Sequence, residues 1–332
     1  MHAYLVKFYQ ALIVALRSSC LVFITATVVF AMQPFRIGTG GKTGVYYPIG
    51  TLIATGLTQQ AKQQGSLLSG LIGVAQNSAG SIENVRGVVA GEIEAGLVQA
   101  DVASFAHDGQ PPFDKTNSNA SIRAIASLYP EKFQIVVRKD AEITNFLDIK
   151  DKKISVDEQG SGTLAVMRIL LDAYGMTEND FQPLYLKPVF IQDKIKSGQV
   201  QGFVMMAGAP MKAVTQLYET GVTLVPIDSV LASRVYEKHP YLFPGRVEKD
   251  TYNNIPETLT LEVYALLVVD ESMPEEVAYA ITEMLFNEQT AALLTSGHPQ
   301  GRSITLETAL NGISIPLHPG ARHFYQSRKL ID

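Results

Sequence analysis

The chain has 332 residues, 46% hydrophobic and 18% charged, enough for two domains or one large one. That balance excludes a disordered chain. A formal net charge of −5, with no block of like charge, excludes the basic footprint of a nucleic-acid binder. Residues 1–31 contain no acid, carry Lys7 and Arg17, and end in an apolar run from Leu21 to Ala31, with Val29 and Ala31 at −3 and −1. This pattern predicts a signal peptide cleaved after Ala31 and a periplasmic mature protein. The apolar run after Arg17 is short for a span, which needs about twenty residues, and a retained membrane tether is the alternative. The sole cysteine, Cys20, precedes the run, which argues against lipidation and leaves the mature chain to rely on its core rather than on disulfides.

A short strand, Phe35 to Ile37, then runs into Gly38-Thr39-Gly40-Gly41-Lys42-Thr43-Gly44-Val45-Tyr46-Tyr47-Pro48-Ile49-Gly50, and a helical pattern from Tyr47–Pro48 to Gln64 runs out. Strand, glycine-rich turn and helix start make a geometry in which free backbone N–H groups face an anion. Two nucleotide motifs fail here. A P-loop needs glycine where Arg36 stands, and a dinucleotide fingerprint needs glycine where Thr43 stands. The ribose-binding acid is missing too, since Pro34 to Ile82 holds no Asp or Glu.

Leu67 to Ala75 reads as a second strand, with Ser81 as N-cap of the next helix. Gly96 to Asp101 repeats the arrangement, with Asp101 as a helix cap. Three strand-to-helix turns predict a βαβ parallel sheet, which binds ligands at the carboxyl ends of its strands. Gln110 to Asn119 reads as a polar loop. Ile122–Leu128 and Phe133–Val137 read as separate strands, with a crossing into a second domain after them. Ile154–Val156 leads to a second turn, Gln159-Gly160-Ser161-Gly162-Thr163, and to a helix with Leu164, Met167, Leu171 and Tyr174 on one face. A short helix follows at Ile191–Lys196. A strand at Gly202–Met206 precedes the turn Ala207-Gly208-Ala209-Pro210, with Pro210 suited to a first helical turn. Val222–Pro226 is a further strand and Tyr241–Ile255 reads as loop. Thr258–Val269 is a β-prone run long enough to cross between domains. Ser272 and Glu275 suggest a capping box, and Pro316–Asp332 a polar tail.

Catalytic signals are poor. The sequence has no His-Glu-x-x-His, Gly-x-Ser-x-Gly, cysteine pair or EF-hand loop, and its six histidines lack ligand spacing. No catalytic residue, metal site or cofactor is expected. Asp157-Glu158 borders the second turn, where structural work is the simpler expectation than acid–base catalysis.

Over the mature chain the sequence resembles the TAXI family of solute-binding proteins from TRAP (tripartite ATP-independent periplasmic) transporters. The resemblance is carried in order by Ile37–Gly41 with Gly44–Gly50, Ala79-Gly80-Ser81 with Asn84, Gly96–Asp101, Val136–Asp140, Gly160–Thr163, and Pro316-Leu317-His318-Pro319-Gly320-Ala321. It implies an α/β fold of the periplasmic-binding-protein type II class, with two lobes joined by crossing hinge strands around a ligand cleft. The lobes would be 32–134 and 135–261, with 262–332 returning to the first. The implied role is capture of a small carboxylate or amino acid, of the glutamate, glutamine or 2-oxoglutarate class, and delivery to TRAP permease subunits in the membrane. A receptor for a signalling partner is the alternative. By position, Thr43, Gly44, Tyr46, Tyr47, Ser81, Gln99 and Asp101 would line the first lobe, and Ser161, Gly162, Thr163, Gly208 and Pro210 the second. Asp157-Glu158-Gln159 departs from the family's Gly/Pro-rich loop. Either those carboxylates point away or the ligand carries a positive group.

Overall fold

The computed structural model describes residues 32–113 and 119–332; the expected signal peptide lies outside them. Among the described residues, no helix is long and apolar enough to cross a membrane. The chain alternates strands and helices. It opens with β1 (Gln33–Gly38), α1 (Tyr46–Ala61), β2 (Leu71–Gln76), α2 (Ser81–Val89), β3 (Ala95–Gln99) and α3 (Ala100–Asp108). It continues through β4 (Ile122–Arg138), β5 (Lys153–Ser155), α4 (Gly162–Ala173), β6 (Gln182–Leu184), α5 (Pro188–Lys196), β7 (Gly202–Ala207), α6 (Lys212–Thr215), β8 (Val222–Leu224), α7 (Ser229–Lys238) and β9 (Phe243–Val247). It closes with β10 (Thr258–Asp270), α8 (Glu275–Leu285), α9 (Glu288–Gly297) and α10 (Pro319–Ser327).

The strands form a mixed sheet in the order β2-β1-β3-β10-β4-β7-β5-β6, with β8 added to β4 and β9 to β10. β1, β2 and β3 pair in parallel, as do β5, β6 and β7. Two long antiparallel strands join these sets by changing partners along their length. Residues 265–269 of β10 pair with β3, and residues 258–262 pair with β9. β4 pairs with β10 over most of its length and takes on β7 from Lys132 onward. The expected break between Leu128 and Phe133 is absent, and β4 is one strand of 17 residues. Pro130 is tolerated because β7 begins to pair only at Lys132, so the missing N–H breaks no ladder on that side. The C-terminal segment covers the free edge of β4. Ala124 N–H donates to the Pro316 carbonyl at 3.0 Å and Ser127 N–H to the Ala309 carbonyl at 2.8 Å.

Side-chain alternation sends one apolar set to each face of the sheet. Leu128, Leu267 and Val269 pack with Ile49, Ile53 and Leu57 of α1. Phe133, Ile135, Leu266 and Val268 pack with Val85 of α2 and Met167 and Leu170 of α4.

Several local expectations are corrected. β2 starts at Leu71, behind a turn. Residues 241–255 contain β9, which pairs with β10. The supposed polar tail contains α10, whose Phe324 and Tyr325 are buried. α8 has Pro274 at its N-cap and no capping box, because the Ser272 hydroxyl donates to Asp270 instead.

Candidate ligand cavity

The first glycine turn is held from behind by one amide. Asn84, fully buried on α2, donates to the Thr39 carbonyl at 2.7 Å and to the Leu97 carbonyl at 2.8 Å, tying the β1 and β3 exits together. The Thr39 hydroxyl donates to the Gln76 carbonyl at the end of β2. A side chain at Gly38 would collide with Asn84, so glycine is required there. α1 then begins without a side-chain cap; its N-cap is Val45, and its third residue, Pro48, has no N–H. The amides of Tyr46 and Tyr47 have no intrahelical acceptor.

The second turn is built differently. Ser161 caps α4, its Oγ accepting from Leu164 N–H at 3.1 Å. Gly160, at φ +86°, aims its carbonyl across the cleft, where it accepts from the amides of Ile82 (3.2 Å) and Glu83 (3.3 Å). The uncapped start of α2 is thus satisfied by the opposite half. Lys187, just before α5, crosses in the same way. Its Nζ donates to the Ser78 carbonyl at 2.6 Å, lies 3.1 Å from Glu158, and its stem packs on Gly41.

Between these turns lies a small, partly enclosed cavity. Thr43, Gly44, Tyr46, Ser81 and Gln99 line it from the first set of strands, and Ser161, Gly162 and Thr163 from the second. Eight of the twelve expected residues therefore share one space. Tyr47, Asp101, Gly208 and Pro210 lie off its wall. Tyr47 is one position further round α1 and carries Lys42 Nζ 5.6 Å above its ring. Asp101 is fully buried past the end of β3, inside α3 rather than at its cap, which is Gln99. The chain leaves the wall at Ala207. Gly208 then packs against Gln300 and Tyr129, and Gln300 Nε2 donates to the Ala209 carbonyl at 2.6 Å. Pro210 precedes α6, which starts at Lys212. Ser81 is likewise no cap; Gly80 holds that position, and the Ser81 hydroxyl accepts from Gln99 N–H at 3.1 Å.

The wall also holds ionisable groups. Glu131, on β4, is 1% exposed, and its Oε2 accepts from the Tyr46 hydroxyl at 3.1 Å. Burial pushes its carboxyl well above the usual range; the Tyr46 hydrogen bond opposes this and the nearby Asp101 adds to it. Asp157, 5% exposed, does face the cavity, and burial raises it to about 6 against the pull of the Glu158 amide, the Thr163 hydroxyl and Lys187. Burial likewise raises Asp101 to about 7. Gln99 Oε1, Asp157 Oδ1 and both Asp101 carboxylate oxygens have no hydrogen-bond partner. Sequence reasoning missed Glu131 and Lys187. The polar Glu131-Lys132 pair between two β-prone runs, and a lysine just before the Pro188 helix start, were the available signals.

Residues 37–327 match the NMT1-like family. The chain belongs to that family. Among solved structures, this NMT1-like chain is similar to a protein from Bordetella bronchiseptica RB50, at TM-score 0.51 and 16% identity over 86% of this chain and 83% of that one. It is also similar to a binding-protein component of an ABC phosphonate transporter from Pseudomonas aeruginosa, at TM-score 0.52 and 11% identity over 80% and 78%. Identities this low speak to the fold alone. That fold is the two-lobed, periplasmic-binding-protein-like type II architecture, with the long strands β4 and β10 joining the lobes.

Proposed function

We propose that this protein is an extracytoplasmic solute-binding receptor that closes around a small carboxylate or amino acid and delivers it to the membrane permease subunits of a TRAP transporter. One observation carries the proposal: a cavity walled by helix-start turns from both ends of the sheet, with Lys187 and the Gly160 carbonyl bridging across it. Both turns offer main-chain amides to an anionic group, and closure excludes the water that would weaken those bonds. Binding would shift the hinge equilibrium, since only the closed state makes both sets of contacts. The lobes are taken as 32–134 with 262–332, and 135–261. Thr43, Gly44, Tyr46, Ser81 and Gln99 would grip the solute from one side, and Ser161, Gly162 and Thr163 from the other. No covalent step and no cofactor enters this mechanism. Residues 1–31 would direct export and be removed.

A thermal-shift screen of carboxylates and amino acids tests the proposal. A true ligand at about 100 times its Kd adds roughly 2.7 kcal/mol of stability. Thr43→Val should reduce that shift. Absence of stabilisation by every compound in both classes refutes the proposal.

A further inference from the structure

The cavity is rich in acceptors and poor in free positive charge. Glu131 is faced by Asp101 from α3, by Tyr46 from α1 and by Tyr129 on its own strand. Asp157 and Lys187 line the same space from the other lobe. Lys187 is already engaged by Glu158 and the Ser78 carbonyl. No cation therefore pairs with Glu131 among the described residues. Its one hydrogen-bond donor is the neutral Tyr46 hydroxyl. An ionised carboxylate so enclosed and unpaired is costly, and such a group neutralises by holding a proton. Two further cavity acceptors, Gln99 Oε1 and Asp157 Oδ1, are more than nine-tenths buried in residues 3% and 5% exposed, and have no donor. An ammonium group brings three donors and a positive charge at once.

We propose that the solute carries an ammonium group, and that its arrival at Glu131 displaces one proton from that carboxyl to solvent. The inference rests on the receptor function proposed above. The carboxyl O–H bond breaks, its proton passes to water or buffer, and an ammonium N–H donates to the carboxylate left behind. At Glu131 one positive charge replaces another, so the exchange there is neutral, and the charge of the solute's carboxylate is left to be met elsewhere. The solute's own carboxylate then meets the uncapped amides of α1 and the amides of Gly162 and Thr163. A dicarboxylate without an amine, such as 2-oxoglutarate, would bring negative charge toward the acceptors Glu131 and Asp157 without a cation of its own to pair with them.

The test is calorimetric titration of the purified protein with the protein amino acids and with 2-oxoglutarate. Each titration is run in PIPES and in imidazole, two buffers of different ionisation enthalpy. At least one amino acid should bind, with an apparent enthalpy difference between buffers equal to about one proton released, and with Kd falling by about tenfold per pH unit while Glu131 remains protonated in the free protein. Glu131→Gln should abolish both the buffer dependence and the pH slope. Should that variant not fold, Tyr46→Phe removes a hydroxyl that stabilises the ionised carboxyl and should move the pH dependence to higher pH. The proposal is overturned by amino-acid binding without buffer dependence, by a dependence that survives Glu131→Gln, or by a pH profile unmoved in Tyr46→Phe. It is also overturned by 2-oxoglutarate binding as tightly as any amino acid, which would leave the receptor function intact. Binding by none of these compounds also overturns it, while the receptor function stands or falls with the wider screen of carboxylates described above.

Discussion

The two lobes handle buried charge in opposite ways. In the first, Asp101 and Glu131 are buried without a cation, beside a helix start that has glycines and no side-chain cap. In the second, Glu158 has Lys187, α4 has its Ser161 cap, and Asp157 is held in check by three opposing interactions. The first wall is left electrostatically unfinished and the second largely completes itself. Two of the unsatisfied acceptors, Gln99 Oε1 and Asp157 Oδ1, belong to residues that line the cavity, one from each side.

Asp101→Asn should break this contrast most severely. The native carboxyl is raised to about 7, so the folded state binds a proton that the unfolded state has lost. Stability should therefore be highest below about pH 4 as far as this group is concerned, fall as pH rises to about 7, and level off above. The slope is at most about 1.4 kcal/mol per pH unit. In Asp101→Asn that slope should be reduced in urea unfolding followed across the same range; an unchanged slope would mean that Asp101 is not the buried acid responsible.

Lys187→Met addresses the other lobe. It keeps the stem against Gly41 and deletes the charged bridge to Ser78 and Glu158. A hydrogen bond from a charged group contributes about 1.5–3 kcal/mol, so ligand affinity should fall roughly 10- to 100-fold through loss of the closed state. Equal affinity in variant and parent would show that the bridge does not hold the lobes together. Ser161→Ala should have the smallest effect, about 1 kcal/mol of stability from the lost cap, seen as a lower Tm with a modest loss of affinity.

The βα turns were legible in the sequence because glycine, hydroxyl and helix-start signals are local. Eight of the expected site residues fall on one cavity for the same reason. What escaped depends on distant packing. Glu131 looked like the polar gap between two strands because nothing nearby in sequence shows that β10 lies alongside and keeps the ladder continuous. Lys187 acts on residues more than one hundred positions away, such as Ser78. Tyr47 adjoins the wall residue Tyr46 but sits one position further round α1, and Asp101 lies two residues past the wall residue Gln99, buried inside α3. The apolar face of the C-terminal helix was hidden by its polar neighbours; Phe324 and Tyr325 are buried by contacts with α8, including the Phe324–Tyr279 ring pair.

The partner exchange along β4 and β10 has a mechanical consequence. The connection between lobes is a pair of hydrogen-bonded ribbons rather than loose linkers, so the closure proposed above would be absorbed as twist and bend spread over several residues. Glu131 lies within that stretch, between Pro130 and Lys132, where β4 takes on β7. If the proposed closure takes place, the proton proposed to leave Glu131 would be lost from within the ribbon that has to bend.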